Sequence, residues 1–267
     1  MTIACSVYIV SLNSAPWLKA LLESVRDFAE VIILDSGSTD ATYEIAQQFN
    51  NVTIQHQDWL GYAAQKAKAL SLCRQPWALN LDGDEKLSAE LRDEIQSVIA
   101  QNEIDGLITP ILDSFMGKVA NTYTKQHAKV RFFRREKGSY DTAIEAHEKV
   151  QVDGIVQPAR GVIYHYGLTD ISVKVDKNNR YSDLKAKEKN AKGKRPSLLK
   201  LVLVMPLVFF KSYVLRRDFL NGQRGFISSM INAFYAFLKE AKLYEYHLKN
   251  ISVDSKVLDH KPDLQDQ

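Results

Sequence analysis

The sequence predicts an α/β domain on a mostly parallel sheet, followed by a helical C-terminal extension. Three observations predict it. The first hundred residues alternate short β-rich runs with helical patterns, acidic turns stand at the ends of two of those runs, and after Thr169 the chain turns helical, strongly basic and then apolar. With 267 residues, 45% of them hydrophobic and 25% charged, the chain can bury one large core or two small ones.

The elements follow in order. SVYIVSL reads as a strand, residues 17–28 as a helix, VIILD as a strand, 41–49 as a helix, VTIQH as a strand, 62–72 as a helix and WALNLD as a strand. In such sheets ligands bind beyond the carboxyl ends of the strands, where Asp35 and Asp82 fall. Between residues 106 and 167 the pieces GLITPIL, KVRFFRR, EKVQV and GVIYHYG are β-like, with polar loops that could build the acceptor side of a cleft. An amphipathic helix is expected over 225–250 and a polar tail from DSKVLDHKPDLQDQ. The expected organisation is a domain over 1–170 (donor side 1–100, acceptor side 101–170), a helical extension over 171–250 and a tail over 251–267.

Cys5 and Cys73 lie 68 positions apart without a CxxC pair, which suggests neither a disulfide framework nor a zinc cluster and fits a reducing cytosol. The N-terminal apolar stretch alternates with polar residues and has no basic leader, so a strand is expected rather than a signal peptide. Residues 174–217 hold 13 Lys/Arg against 3 Asp/Glu, a local charge of +10 in a chain whose total is +3. That region is where an anionic partner is expected.

Two motifs carry chemistry. In Asp35-Ser36-Gly37-Ser38-Thr39-Asp40, Gly37 permits a tight turn and Ser38, Thr39 or Asp40 can cap the next helix. Asp35 could also accept a hydrogen bond from a nucleoside base or ribose hydroxyl. In Asn80-Leu81-Asp82-Gly83-Asp84-Glu85 two carboxylates separated by glycine can project into one site and offer hard oxygen ligands to Mg²⁺ or Mn²⁺. Such an ion would bridge a diphosphate and neutralise charge on the leaving group.

The succession SVYIVSLN, LDSGSTDAT, WLGYAAQKAKAL and WALNLDGDE resembles the family-2 inverting glycosyltransferases of GT-A (Rossmann-like) fold. Within them it is similar to bacterial lipopolysaccharide-core β-1,4-glucosyltransferases acting on heptose, and the likeness continues through AHEKV, IYHYG, KNNRYSDLKA and GFISSMINAFYAFLKEAKLYE. The resemblance implies that Asp35 recognises the nucleoside, with Ser38 in the same turn, and that Asp82 and Asp84 form the DxD element, Asp84 being the direct metal ligand. Gly61, Gln65 and Lys66 match an element beside the donor. Lys66 either meets a phosphate or is an exposed helix lysine. Many relatives carry two adjacent aspartates where this chain has Asp35-Ser36, so the nucleoside contact rests on Asp35.

Inversion requires one general base on the acceptor hydroxyl. The segment Asp141-Thr142-Ala143-Ile144-Glu145-Ala146-His147-Glu148 supplies three carboxylates, and its Ala-His-Glu resembles the related enzymes' element, which implies Glu148 as base; His147 could orient that carboxylate or bind an acceptor hydroxyl. Glu145 and Asp141 are the alternatives. His165 is either a further metal ligand or a hydrogen-bonded structural residue. Arg131, Arg134 and Arg135 either face an acidic acceptor or lie exposed beside Phe132 and Phe133.

The run LVLVMPLVFF is ten residues long between Lys200 and Lys211, whereas a spanning helix needs about 20. An in-plane contact with an anionic membrane surface is favoured over a packed core helix. No nucleic-acid-binding motif accompanies the charge. The reading is an inverting glycosyltransferase with UDP-glucose as leading donor and a lipid-linked core heptose as acceptor, peripheral on the cytoplasmic face of the inner membrane. A nucleotidyltransferase and an inactive sugar-binding or membrane scaffold are the alternatives. The first would carry a glycine-rich basic loop where this chain reads SLNSAPWLKA, and the intact Asp82 and Asp84 speak against the second.

Overall fold

The structure, a computed structural model, describes residues 2–142, 149–168 and 170–258. Two compact units divide it: Met1–Ser114 with Lys118–Ala120 and Gln126–Gly167, and Leu168–Gln267 with Phe115–Gly117 and Asn121–Lys125.

In the first unit the order is β1 (Ile3–Ser11), α1 (Ala15–Ser24), β2 (Phe28–Asp35), α2 (Thr42–Ala46), β3 (Val52–His56), α3 (Tyr62–Ser71), β4 (Trp77–Asp82), β5 (Glu85–Leu87) and α4 (Ala89–Gln101). It continues with β6 (Gly106–Phe115), β7 (Lys118–Val119), β8 (His127–Arg134), β9 (Gly138–Tyr140), β10 (Val150–Val152), β11 (Val156–Pro158) and β12 (Ile163–Leu168). The main sheet runs β3-β2-β1-β4-β8-β6-β12-β5. Its first four strands are parallel, while β8 is antiparallel to both β4 and β6.

Strand alternation sorts the apolar residues onto two faces. Val7, Ile9, Val31, Ile33, Leu79 and Leu81 point to one, where Leu18, Leu21 and Leu22 of α1 and Leu91, Ile95 and Val98 of α4 close the larger core. Tyr8, Ile32, Leu34, Ala78 and Phe133 point to the other, against Ala69 and Leu70 of α3. Because β2 leaves on one side of β1 and β4 joins on the other, the chain reverses its winding at the carboxyl ends of β1 and β4. Such a switch point leaves a crevice for a ligand.

The GT-A-like architecture agrees with the expectation, and several boundaries differ. The first helix ends at Ser24 instead of Phe28, because Phe28 pairs with Ile3 and belongs to β2. The second stops at Ala46. Helix α4 is an addition: Ser88 caps it by accepting from Leu91 N at 3.1 Å, and Leu91, Ile95 and Val98 form its buried stripe.

The second unit holds α5 (Ile171–Ala191), α6 (Leu198–Phe210), which continues as a wider turn over Lys211–Leu215, and α7 (Gln223–Leu258). Asp170 caps α5 through Val173 N at 2.9 Å. The buried stripe of α7 is Gly225, Ser229, Ala233, Ala236, Glu240 and Leu243, spaced by three and four and mostly small. Ser182 and Ala186 are buried on α5, so these helices approach closely. Helix α7 reaches Leu258, into the stretch expected as a polar tail.

Phe132 stacks on Trp77 at 4.8 Å with an interplanar angle of 6°, inside the larger core. Phe132→Ala should cost about 3–5 kcal/mol in urea denaturation, as expected for emptying an aromatic core site. A loss under 1 kcal/mol would show that β8 is not anchored by this stack.

Candidate active site

The turns after β1 and β2 lock together at the switch point. Asp35 is fully buried and serves its own turn: Oδ2 accepts from Gly37 N at 2.9 Å and Ser38 N at 2.7 Å, and Oδ1 accepts from Ser38 Oγ at 2.5 Å. Ser38 Oγ also accepts from Asn13 N at 2.7 Å, and Asn13 Oδ1 accepts from Thr39 N at 2.9 Å. Asp40 reaches across to accept from Ala15 N at 3.1 Å. Four short polar side chains, Asn13, Asp35, Ser38 and Asp40, thereby tie the two turns together at the lip of the crevice.

Of the residues matched to the donor element, Gln65 is buried and tied internally: its amide donates to Ser36 Oγ at 3.1 Å and Gln57 O at 3.2 Å, and its Oε1 accepts from Leu60 N at 3.2 Å. Gly61 caps α3 at φ 92°, a left-handed value that favours glycine. Lys66 is not an exposed helix lysine. Its side chain is 6% exposed and its Nζ lies 2.8 Å from Asp82 Oδ1.

The first carboxylate of the DxD element is enclosed by cations. Arg131 Nη2 lies 3.0 Å from Asp82 Oδ2 and 2.7 Å from Glu85 Oε1, and Nη1 donates to Asn80 Oδ1 at 2.6 Å. Asp82 N donates to Glu85 Oε2 at 2.8 Å. Burial works against the Asp82 charge, but Arg131 and Lys66 outweigh it and hold the carboxyl well below the usual range. Burial pushes Glu85 up, against the pull of Arg131. Of the three arginines of the FF segment, Arg135 is exposed, as one of the two expectations had it, while Arg131 and Arg134 are drawn into ion pairs within the protein. Arg131, 3% exposed, faces the acidic turn. Arg134 lies over Trp77 and pairs with Asp105 at 2.8 Å, and Arg135 donates to Gln75 O at 2.9 Å.

The second carboxylate has a different neighbourhood. Asp84 Oδ2 lies 3.2 Å from His165 Nε2, and Asp113 Oδ1 lies 2.7 Å from His165 Nδ1. Burial lowers His165, yet its hydrogen bonds to Asp113 and Asp84 prevail and raise it to about 10. Gly167 makes room for this group: a Cβ there would fall 1.9 Å from Asp84 Oδ2 and 3.1 Å from His165 Nε2. Among the described residues no group of three or more His, Cys, Asp and Glu side chains converges on one point. Asp84 and His165 are two facing donors, which suits an ion that completes its shell with water and substrate phosphates. This pair of donors fits a divalent metal.

A cleft of about 230 Å³ adjoins the acidic turn, lined by Lys66, Asn80, Lys129, Arg131, Tyr140 and Lys149 among others. Glu145, His147 and Glu148, the expected base and its neighbours, lie outside the described residues, while Asp141 is exposed. Sequence reasoning missed Arg131 as the partner of Asp82, and missed Asn80, Glu85 and Asp113. Glu85, adjoining the DxD motif, carried a usable signal, whereas nothing around Asp113 did.

Arg131→Met should destabilise the protein by roughly 3–5 kcal/mol, since it leaves Glu85 without its buried partner. Adding Glu85→Gln should recover part of that loss in chemical denaturation. A neutral Arg131→Met would mean that the acidic turn is stabilised by other contacts.

Comparison with known proteins identifies the family. The family "Glycosyl transferase family 2" matches residues 6–163. "Lipopolysaccharide core biosynthesis glycosyltransferase LpsC" of Rhizobium meliloti is 36% identical over 251 residues, covering 91% of this chain and 92% of that protein. An uncharacterized glycosyltransferase of Rickettsia felis is 35% identical and covers 93% and 92%. A crystal structure of S. aureus TarS residues 1–349 is 15% identical, covers 94% of this chain and 92% of that one, and superposes with a TM-score of 0.49. The match over most of the first unit, together with the near full-length likeness to LpsC, establishes that the chain belongs to glycosyl transferase family 2.

Proposed function

We propose that this glycosyltransferase moves a sugar, with inversion, from a nucleoside-diphosphate donor to a heptose of the lipopolysaccharide inner core, with glucose from UDP-glucose as the leading donor. The observation that carries the reading is the pair of unlike carboxylates at the switch point. Asp82 is neutralised by Lys66 and Arg131, while Asp84 faces His165 Nε2. The name of the Rhizobium meliloti relative and its coverage of both chains support the acceptor class.

Each residue then has a task. Asp35 and Ser38 shape the turn that receives the nucleoside, and Asp82 with Lys66 lies beside the ribose and diphosphate. Gln65 holds the 57–61 loop against Ser36, and Gly61 makes the turn into α3. A divalent ion, Mg²⁺ or Mn²⁺, on Asp84 and His165 would supply Lewis-acid charge to the departing diphosphate. The cationic lining of the adjoining cleft favours an anionic ligand over a neutral one. Glu148, oriented by His147, is the proposed base on the acceptor hydroxyl.

A lipid-linked acceptor requires the enzyme at a bilayer, and the second unit offers a surface for it. Leu198–Leu215 is long and apolar enough to cross a membrane by length and composition, and only 6% of it is buried. An in-plane position on the cytoplasmic face fits better. The stretch contains Lys200, which lies 3.4 Å from the buried Glu240, together with Pro206 and Lys211. Lys194 and Arg195 stand exposed just before α6. Lys187 and Lys189 are engaged instead with Asp183 and Glu240.

Two measurements test these assignments. Asp84→Asn should lower turnover roughly 10²–10³-fold in a Mn²⁺-dependent transfer assay while the protein still binds UDP, since charge stabilisation of the leaving group is lost. Glu148→Gln should keep UDP binding and lose transfer to truncated lipopolysaccharide. That phenotype in Glu145→Gln or Asp141→Asn instead would move the base, and release of pyrophosphate in place of a nucleoside diphosphate would overturn the reaction class.

Vesicles containing anionic phospholipid should bind the wild type more than neutral vesicles do, with partial release as salt rises. Replacing Lys194, Arg195 and Lys211 with Gln should weaken that binding and slow transfer to a membrane-embedded acceptor, leaving transfer to a soluble fragment intact. Equal loss of both activities, or no binding by the wild type, would return α6 to an internal role. Resistance to both salt and alkaline carbonate would favour a spanning helix.

A further inference from the structure

We propose that Asp113 is a positioning residue for metal binding: its carboxylate holds Nδ1 of His165 so that Nε2 is presented toward Asp84 as a ligand for a divalent cation. The inference rests on the reading of Asp84 and His165 as the protein ligands and adds a residue that touches neither metal nor sugar.

Sheet order brings the three side chains together. Strand β12 lies between β6 and β5. His165 on β12 therefore has Asp113 of β6 on one flank and Asp84, which directly precedes β5, on the other. The register is fixed by His165 opposite Glu85 and by Tyr166 N donating to Asp84 O at 2.9 Å. The two ring nitrogens meet different carboxylates, Nδ1 with Asp113 at 2.7 Å and Nε2 with Asp84 at 3.2 Å. Gly167 lets the Asp84 carboxylate come this close to β12, since a Cβ there would stand 1.9 Å from Asp84 Oδ2 and 3.1 Å from His165 Nε2.

The chemistry follows from the imidazole. A neutral ring carries one N–H, and a carboxylate accepting from Nδ1 confines the lone pair to Nε2. The same carboxylate makes the ring a stronger donor, and a carboxylate on the far nitrogen is the usual companion of a metal-bound histidine. When the cation binds, the Nε2 proton leaves to solvent and the Nδ1–H to Asp113 contact stays. Asp113 is more exposed than His165, 41% against 18%.

The test is Mn²⁺ affinity, read from the free-ion electron paramagnetic resonance signal in the presence of UDP, for the wild type, Asp113→Asn, Asp113→Leu, His165→Gln and Asp84→Asn. Asp113→Asn retains the shape without the charge and should weaken Mn²⁺ about tenfold. Asp113→Leu also removes the choice of tautomer and should approach about 100-fold. UDP binding in EDTA should be unchanged in both, which separates metal positioning from misfolding. If Asp113→Leu fails to bind UDP in EDTA, the isosteric Asp113→Asn decides alone.

Loss of Mn²⁺ affinity in His165→Gln and Asp84→Asn, with both Asp113 variants within twofold of the wild type, would overturn the inference and leave the ligand pair intact. Wild-type affinity in His165→Gln would overturn the ligand pair itself, and this inference with it.

Discussion

The placement of one guanidinium governs the chemistry of this domain. Four carboxyl or amide side chains, Asn80, Asp82, Asp84 and Glu85, crowd one strand end, three of them carboxylates, a concentration of like charge that would repel itself if left unpaired. Arg131 enters from β8 and binds three of the four. It can do so because β8 runs antiparallel to β4, with Phe132 opposite Leu79 and Phe133 opposite Ala78, which brings Arg131 level with the carboxyl end of β4. With Lys66 added from α3, Asp82 is compensated on both oxygens, and Asp84 is left to face His165.

The two halves of the main sheet therefore have different duties. The parallel half supplies a floor whose strands end together, and the turns after β1 and β2 are joined by polar side chains. The antiparallel half supplies the groups that tune the floor's carboxylates: Arg131 from β8, Asp113 from β6 and His165 from β12. The acidic turn is a product of β1 to β4, but apart from Lys66 the groups that set its electrostatics lie 29 to 81 positions further along the chain. Glycine at 83 completes the turn, since a Cβ there would approach Ser14 Oγ to 2.2 Å.

The second unit follows another physical logic. The buried stripe of α7 is built from small residues, so helix contacts are close and bury little apolar volume each, while the larger apolar side chains of α6 remain outside, Leu198 at 77% and Leu207 at 62% exposure. A basic linker directly precedes that surface. These exposed apolar side chains, with Lys194 and Arg195 exposed before them, are the surface on which the membrane proposal rests.

How much of this was legible in the sequence depended on distance along the chain. Periodicity and short turn motifs fixed the alternation of β1 to β4 with their helices, the acidic turns at Asp35 and Asp82, and the helical basic extension, because each is a property of neighbouring residues. Helix α4 had the same kind of signal in Ser88, Leu91, Ile95 and Val98. What the sequence by itself determined was the fold class, the two strand-end motifs and the family resemblance. What only the tertiary structure decided was which cation meets which carboxylate. Lys66, left open between a phosphate contact and an exposed helix lysine, became the partner of Asp82, Arg131, left open between an acceptor contact and an exposed position, became its buried clamp, and Asp113 turned from an unmarked strand residue into the neighbour of His165. Pairings of that kind are made by strand order and register, and side chains that meet across strands leave no periodic trace in the chain that carries them.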